Sequence, residues 1–264
     1  MSATATAPHA TAPHATARNK ASAAVLKAEF RLFRREPGAL FWIMMFPTIL
    51  LVVLGSIPSF RKTDASLGGL RLVDAYVPVT VLLSLIMAGV QAMPPLLTGY
   101  RERGILRRMS ATPVRPWAVL GAQMGIYGAA ALVSSLLSLT VGRLAFDVPL
   151  PRQAFGYALA LLLAILCGLA LGAVVSALAR TTKAATAIGS AVFFPMMFSA
   201  GVWLPVQAMP DALARVVQIA PLGAAAQALG DAAAGDWPGL THLGVLALWA
   251  VGLSAAAARW FRWE

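Results

Sequence analysis

Residues 98–117 read Thr98-Gly99-Tyr100-Arg101-Glu102-Arg103-Gly104-Ile105-Leu106-Arg107-Arg108-Met109-Ser110-Ala111-Thr112-Pro113-Val114-Arg115-Pro116-Trp117 and form a short basic segment. The segment holds five arginines and one glutamate, whereas the flanking stretches 75–97 and 117–142 hold no charged residue. Each flanking stretch is long and apolar enough to cross the roughly 30 Å hydrocarbon core of a bilayer. Because Lys and Arg concentrate in loops on the inner side, the segment predicts a cytoplasmic loop between two membrane spans.

The composition of the whole chain is that of an integral membrane protein. Hydrophobic residues make up 59% of the 264 positions, charged residues make up 12%, and the mean hydropathy is +0.75. These values lie far from those of soluble domains. A net charge of +11 is also found in nucleic-acid-binding proteins, but here the basic residues flank apolar stretches. Membrane topology therefore explains the charge, and no nucleic acid partner is expected.

Six apolar stretches are long enough to span a bilayer, and they predict an all-α integral membrane domain over residues 39–264. They lie near 39–57, 75–97, 117–142, 154–178, 184–204 and 240–258. With the N-terminus inside, fifteen of the 21 Lys and Arg residues and all four Glu fall on the cytoplasmic side, while all six Asp fall outside. We therefore expect a multi-pass protein of the cell (plasma) membrane with both termini cytoplasmic.

The N-terminal region divides into two segments. Residues 1–18 repeat Ala-Pro-His-Ala-Thr and predict a disordered low-complexity tail. Residues 19–38 predict an amphipathic helix in the inner membrane interface, ended by Pro37-Gly38. A juxtamembrane linker whose charges only set topology is the alternative. The apolar residues at helical spacing on one side of this segment are Val25, Leu26, Phe30 and Phe33.

The stretch 203–238, between the fifth and sixth spans, is too apolar for a plain loop, and each half is too short to span. Asp211 to Ile219 and Leu222 to Leu229 predict two short helices separated by Pro221. We expect a re-entrant external hairpin, since non-spanning backbone at membrane depth must be shielded by protein. A loop lying on the surface is the alternative.

The chain carries no residues arranged for chemistry of its own. No predicted span has a charged residue near its middle, although ion-coupled carriers keep one there. An intramembrane hydrolase needs a nucleophile with a base in reach, and the spans offer no such pair. The sequence also lacks a Gly-x-x-x-x-Gly-Lys-Ser/Thr phosphate loop and a metal-ligand cluster, and Cys167 is its single cysteine. We therefore expect no enzymatic activity, metal or cofactor in this chain, and energy supplied by a partner.

Two stretches carry recognisable motifs. The first is Tyr100-Arg101-Glu102-Arg103-Gly104-Ile105-Leu106-Arg107-Arg108-Met109-Ser110-Ala111-Thr112-Pro113-Val114; the second is Phe198-Ser199-Ala200-Gly201-Val202-Trp203-Leu204-Pro205 with Met209-Pro210 and Pro221-Leu222. They resemble the R-E-x-G-T-L-R-x-L-x-x-T-P segment and the F-S-G-x-x-x-P hairpin of the ATP-binding-cassette type-2 permeases. Gly223 stands where that family often has a threonine. The resemblance covers about residues 20–260 and favours the drug and antibiotic resistance branch of these exporters.

The resemblance implies that 98–116 forms a coupling segment that docks into a separate ATPase subunit, which binds ATP and Mg²⁺. A loop whose arginines only enforce topology is the alternative. The residues of the segment expected to contact the ATPase are Arg101, Glu102, Arg103, Ile105, Leu106, Arg107 and Arg108. Arg31, Arg34 and Arg35 of the interfacial helix are expected to contact the same subunit.

The resemblance further implies a second permease copy, as a homodimer, with a substrate path along the second and fifth spans. Candidate lining residues are Met87, Gln91, Phe194, Met197 and Phe198. Met and Phe suit varied hydrophobic ligands, although they are also ordinary packing or lipid-facing residues. The expected function is ATP-driven export of a hydrophobic or amphipathic substrate such as a drug, antibiotic or lipid-like molecule. The alternatives are a permease for polysaccharides or lipid-linked glycans, and a membrane sensor or assembly protein without transport.

Overall fold

A computed structural model of the chain describes residues 13–63, 69–110, 116–204, 206 and 209–260. These residues form helices and contain no β-strand, which confirms the predicted all-α fold. The helices, in chain order, are α1 Pro13–Phe33, α2 Pro37–Gly55, α3 Leu72–Glu102, α4 Ile105–Ser110, α5 Pro116–Phe146, α6 Ala154–Leu178, α7 Thr182–Ser199, α8 Asp211–Ile219, α9 Pro221–Ala234 and α10 Leu240–Trp260.

Five helices in the described part of the chain are long and apolar enough to cross a membrane, namely α2, α3, α5, α6 and α10. The predicted fifth span, 184–204, corresponds to α7, an 18-residue helix that begins with the polar pair Thr182-Lys183 and falls outside these five. The short helices α8 and α9 are bent by 100° at Pro221 and add a sixth candidate only if the pair counts as one span. The two predicted short helices are thus present, with the second extending to Ala234.

A helix is present where the interfacial helix was predicted, as α1, but it begins at Pro13 and overlaps the predicted tail. Residues 1–12 lie outside the described part, and the position of α1 at the membrane interface stays a prediction. Its inward face differs from the predicted apolar side. Glu29 and Phe33 are buried and Val25 is half-buried, whereas Leu26 and Phe30 are about half exposed. Because residues four apart stack on one face of a helix, the packed stripe is Val25–Glu29–Phe33. Only half of the predicted apolar side therefore packs against the protein.

The central helix of the bundle is α3, the most buried of the five candidate spans. Glycines allow it to approach α6 closely, because a Cβ placed on Gly172 would overlap the backbone carbonyl of Gly89. Small residues at helix interfaces are the usual means of such close approach within membranes. Gly89 lies in a π-helical stretch, Met87–Ala92, that interrupts the α-helical hydrogen bonding of α3.

The two ends of the helical bundle differ in their charged side chains. At one end, named the basic end, lie α1, α4 and the connection from α6 to α7, with exposed Lys and Arg side chains on all three. At the opposite end, Arg71 pairs with Asp74 at 2.7 Å and donates hydrogen bonds to the carbonyl oxygens of Phe146 and Asp147. These bonds tie the start of α3 to the end of α5.

Candidate functional site at the basic end

Three consecutive residues at the end of α3 hydrogen-bond to three different neighbouring elements. Tyr100 binds α1, Arg101 binds the end of α6, and Glu102 binds the start of α7. Successive residues of a helix are rotated by about 100° around its axis, so three in a row reach in three directions. We name Tyr100, Arg101 and Glu102 the coupling hub, since they open the segment predicted to couple the chain to an ATPase.

The contact between the hub and α1 centres on a buried carboxylate. Glu29 is 8% exposed, and its Oε2 atom accepts hydrogen bonds from the Tyr100 hydroxyl and from the Gln123 amide of α5, both at 2.7 Å. Burial raises the pKa of Glu29, and the two hydrogen bonds oppose that rise only in part. One oxygen atom therefore joins α1 to the ends of α3 and α5.

Glu29 is not among the functional residues predicted from the sequence. The signal was available, because Glu29 lies four residues from both Val25 and Phe33 and so interrupts an apolar stripe with a carboxylate. A buried carboxylate requires hydrogen-bond donors, and Tyr100 and Gln123 supply them from distant parts of the sequence. The identity of those donors depends on tertiary packing.

The other two hub residues stabilise helix ends. The Arg101 guanidinium donates to the carbonyl oxygens of Ala179, at 2.8 Å, and Ser176, at 3.2 Å, which lie at the carboxyl end of α6. The Glu102 carboxylate accepts hydrogen bonds from the backbone amide and the hydroxyl of Thr182, the first residue of α7. A cation at a helix C-terminus and an anion at a helix N-terminus both interact favourably with the helix dipole and stabilise the helix end. The hub thus fixes the connection between α6 and α7.

The helix α4 follows the hub after a sharp turn. Gly104 has a φ of +65°, a left-handed conformation that glycine adopts without steric cost. Leu106 is buried in the chain's own core, with Ile105 partly buried beside it. Among the described residues that follow the hub in the segment, the exposed side chains are basic: Arg103, Arg107 and Arg108. Glu102 of the hub is exposed as well.

The cations predicted to meet the ATPase from α1 lie near the same end. Arg31 on α1, and Arg34 and Arg35 in the turn that follows it, are all exposed. Residues 111–115, the last part of the predicted coupling segment, lie outside the described residues. The contact of these arginines with an ATPase stays a prediction.

The five predicted path residues do not gather in one place within the chain. Met87 and Gln91 line a cavity of about 440 Å³ beside α2, α5 and α7, named the aromatic cavity after Trp42, Tyr127 and Phe193 in its lining. The remaining three path residues have other surroundings. Met197 is buried in the main core, Phe198 packs with Val206, Met209 and Val217, and the exposed Phe194 stacks on Trp203.

A cavity of similar volume lies near the opposite end, between α3, α6 and α9. Its lining is mainly apolar and includes Tyr157, whose hydroxyl has no hydrogen-bond partner among the described residues. None of the predicted path residues lines it.

The apolar helices define a multi-pass membrane protein. Residues 21–231 match the family model described as ABC-2 type transporter. Because that match covers most of the 264 residues, the chain belongs to the ABC-2 type transporter family. It is therefore the permease part of an ABC transporter, and the resemblance noted in the sequence is confirmed at that level. No curated protein matched the chain.

Proposed function

We propose that the chain is the membrane subunit of an ATP-driven exporter that moves a hydrophobic or amphipathic substrate, of the drug, antibiotic or lipid-like kind, out of the cell. A separate ATPase subunit binds ATP and Mg²⁺ and docks on the basic end, which faces the cytoplasm together with both termini. A second copy of the chain completes the transport path in the plasma membrane. The observation that supports this proposal best is the coupling hub.

The hub provides a mechanical route from an ATPase into the bundle. A force applied to α4 reaches α3 directly and reaches α1, α6 and α7 through Tyr100, Arg101 and Glu102. Hydrogen bonds to charged groups are stronger than those between neutral groups, and three of them hold the linked helix ends to α3. The elements around the hub therefore move as one unit.

The docking surface is basic, and its partner is expected to be acidic there. Arg103, Arg107 and Arg108 are exposed beyond the hub, and the exposed arginines of α1 and of the turn after it lie at the same end of the bundle. Arginine guanidinium groups bind carboxylates in bidentate geometry, which gives orientation as well as affinity. Arg101 and Glu102 act within the chain and transmit force, instead of forming the docking surface itself.

The test is assembly and ATP-dependent transport with a candidate ATPase subunit. The double variant Arg107→Glu with Arg108→Glu reverses charge on the exposed face of α4 and leaves the three hub residues unchanged. We expect it to lose co-purification of the ATPase and ATP-dependent uptake of a fluorescent hydrophobic compound into inside-out vesicles. The matched control is Arg143→Glu with Arg152→Glu, two exposed arginines at the opposite end. Full assembly and uptake by the first double variant would refute the docking surface.

A further inference from the structure

The aromatic cavity combines three rings with a single charged group. Trp42 comes from α2, Tyr127 from α5 and Phe193 from α7, while Met87 and Gln91 come from α3. Glu36, from the turn between α1 and α2, is the one charged residue among the described residues of the lining. The neighbouring Arg34 and Arg35 do not line the cavity.

The rings are held in defined orientations by contacts outside the cavity. Tyr127 packs edge-to-face against Phe33 of α1 at 5.4 Å, and Phe193 packs edge-to-face against Phe194 at 5.5 Å. Tyr127 is 1% exposed and Trp42 is 49% exposed, so the cavity leads from an accessible edge to a buried wall. Its volume of about 440 Å³ lies in the range of sites for small organic ligands.

We propose that the aromatic cavity binds an apolar molecule that carries one positive charge, such as a quaternary ammonium or phosphonium ion. Aromatic faces attract cations within about 6 Å, and the Glu36 carboxylate supplies the opposite charge at the rim. An apolar anion would meet a carboxylate and no cation. A sugar would find few hydrogen-bond partners, since beside Glu36 the polar side chains of the described lining are Gln91, Tyr127 and the Trp42 indole.

This inference rests on the proposed function in one respect: it takes the bound cation to be the exported substrate. Binding itself needs neither the ATPase nor ATP. The chain alone, in nanodiscs, is therefore sufficient for the test. A failure to assemble with an ATPase would leave the result on binding unaffected.

The measurement is equilibrium binding of tetraphenylphosphonium to the full chain in phosphatidylglycerol nanodiscs, with empty nanodiscs measured in parallel. Tetraphenylborate, nearly the same in size and opposite in charge, is measured separately. We expect specific binding of the cation and at least about tenfold weaker specific binding of the anion. Trp42→Leu should weaken cation binding about tenfold, and Glu36→Gln about threefold.

Matched controls are Trp237→Leu and Asp211→Asn, an exposed tryptophan and an exposed carboxylate outside the cavity. Both should bind the cation as the wild type does. Unchanged binding by Glu36→Gln and Trp42→Leu, or cation binding equal to that of empty nanodiscs, would overturn the inference. ATP-driven export of other compounds by a chain that does not bind the cation would overturn the inference and leave the proposed function standing.

A choline headgroup and a soluble apolar cation can both present a quaternary ammonium group. Repeating the measurement at one fixed fraction of phosphatidylglycerol, with the remaining lipid either phosphatidylethanolamine or phosphatidylcholine, distinguishes these sources. The surface charge is then equal, and only the phosphatidylcholine bilayer supplies choline. Weaker tetraphenylphosphonium binding there would assign the cavity to a lipid headgroup. Equal binding in both bilayers would assign it to a soluble apolar cation.

Discussion

Replacing Glu29 with leucine should release α1 from the bundle, because the substitution removes the acceptor shared by Tyr100 and Gln123. Each buried donor left without an acceptor costs about 1–3 kcal/mol, so the two together cost about 2–6 kcal/mol. Burying the leucine side chain returns about 1.5–3 kcal/mol. At the midpoints of these two ranges the expected net loss is about 2 kcal/mol. Each 1.4 kcal/mol is a tenfold change in the equilibrium between docked and undocked α1.

Glu29→Gln separates the hydrogen bonds from the charge. Both donors bind the same oxygen, Oε2, so a single amide oxygen can replace it. The glutamine variant should therefore lose less than about 1 kcal/mol. Lys27→Leu, an exposed change on the same helix, serves as a control for the added apolar surface.

The assay is hydrogen exchange of the α1 backbone amides in nanodiscs, which measures local opening of a helix. We expect α1 exchange to be about tenfold faster, or more, in Glu29→Leu and close to wild type in Glu29→Gln and Lys27→Leu. Exchange in other helices should change little. Wild-type exchange of α1 in Glu29→Leu, or equal acceleration in the leucine and glutamine variants, would refute the role given to the shared oxygen.

Three further predictions follow from the described contacts. Docking of α1 should weaken with rising pH, because the raised pKa of Glu29 means that the docked state binds the proton more tightly than the undocked state. Docking of α1 is strongest below the usual glutamate pKa of about 4.3 and declines as the pH rises through the raised pKa of Glu29. The mobility of a spin label on α1 should therefore increase with pH in the wild type and stay constant with pH in Glu29→Gln. Glu102→Ala should uncouple ATP hydrolysis from transport without unfolding the subunit, and Thr182→Val, which removes the hydroxyl partner, should do so more weakly; normal transport per ATP in Glu102→Ala would contradict the hub. Gly172→Ala should abolish monodisperse folded protein in size-exclusion chromatography, whereas Gly121→Ala, whose added methyl meets open space within the subunit, should elute as the wild type does.

The membrane helices could be predicted from the sequence because each depends on local properties. Length, apolarity and the absence of charge mark a span without reference to the rest of the fold. The predicted stretch 154–178 coincides with α6, and the other boundaries shift by a few residues. The predicted fifth span agrees least well with the structure, because α7 begins with the polar pair Thr182-Lys183. Thr182 binds Glu102 of the hub.

The hub and the aromatic cavity could be predicted only in part, since both are built from residues far apart in sequence. The basic segment identified Arg101 and Glu102 by residue type, but their partners at Ala179 and Thr182 depend on how α6 and α7 pack against α3. Met87 and Gln91 were expected on the substrate path, and they line a cavity. The expected Phe194 stacks on Trp203 outside that cavity, because its neighbour Phe193 occupies the inward position on α7.

The hub and the aromatic cavity share two helices, α1 and α3. This bears on how a chain without charges in the middle of its predicted spans can be driven by a partner. Tyr100 lies nine residues beyond Gln91 on α3, about 14 Å along a helix. On α1, Glu29 binds the hub and Phe33 packs against Tyr127 in the cavity wall. We propose that a displacement of the hub moves the wall through α1 as well as α3. The π-helical stretch Met87–Ala92 carries the α3 residues of that wall, at a point where the helical hydrogen bonding is irregular. Two rigid helices and one irregular turn thus connect the basic end to the cavity, and no charged relay within the bilayer is needed.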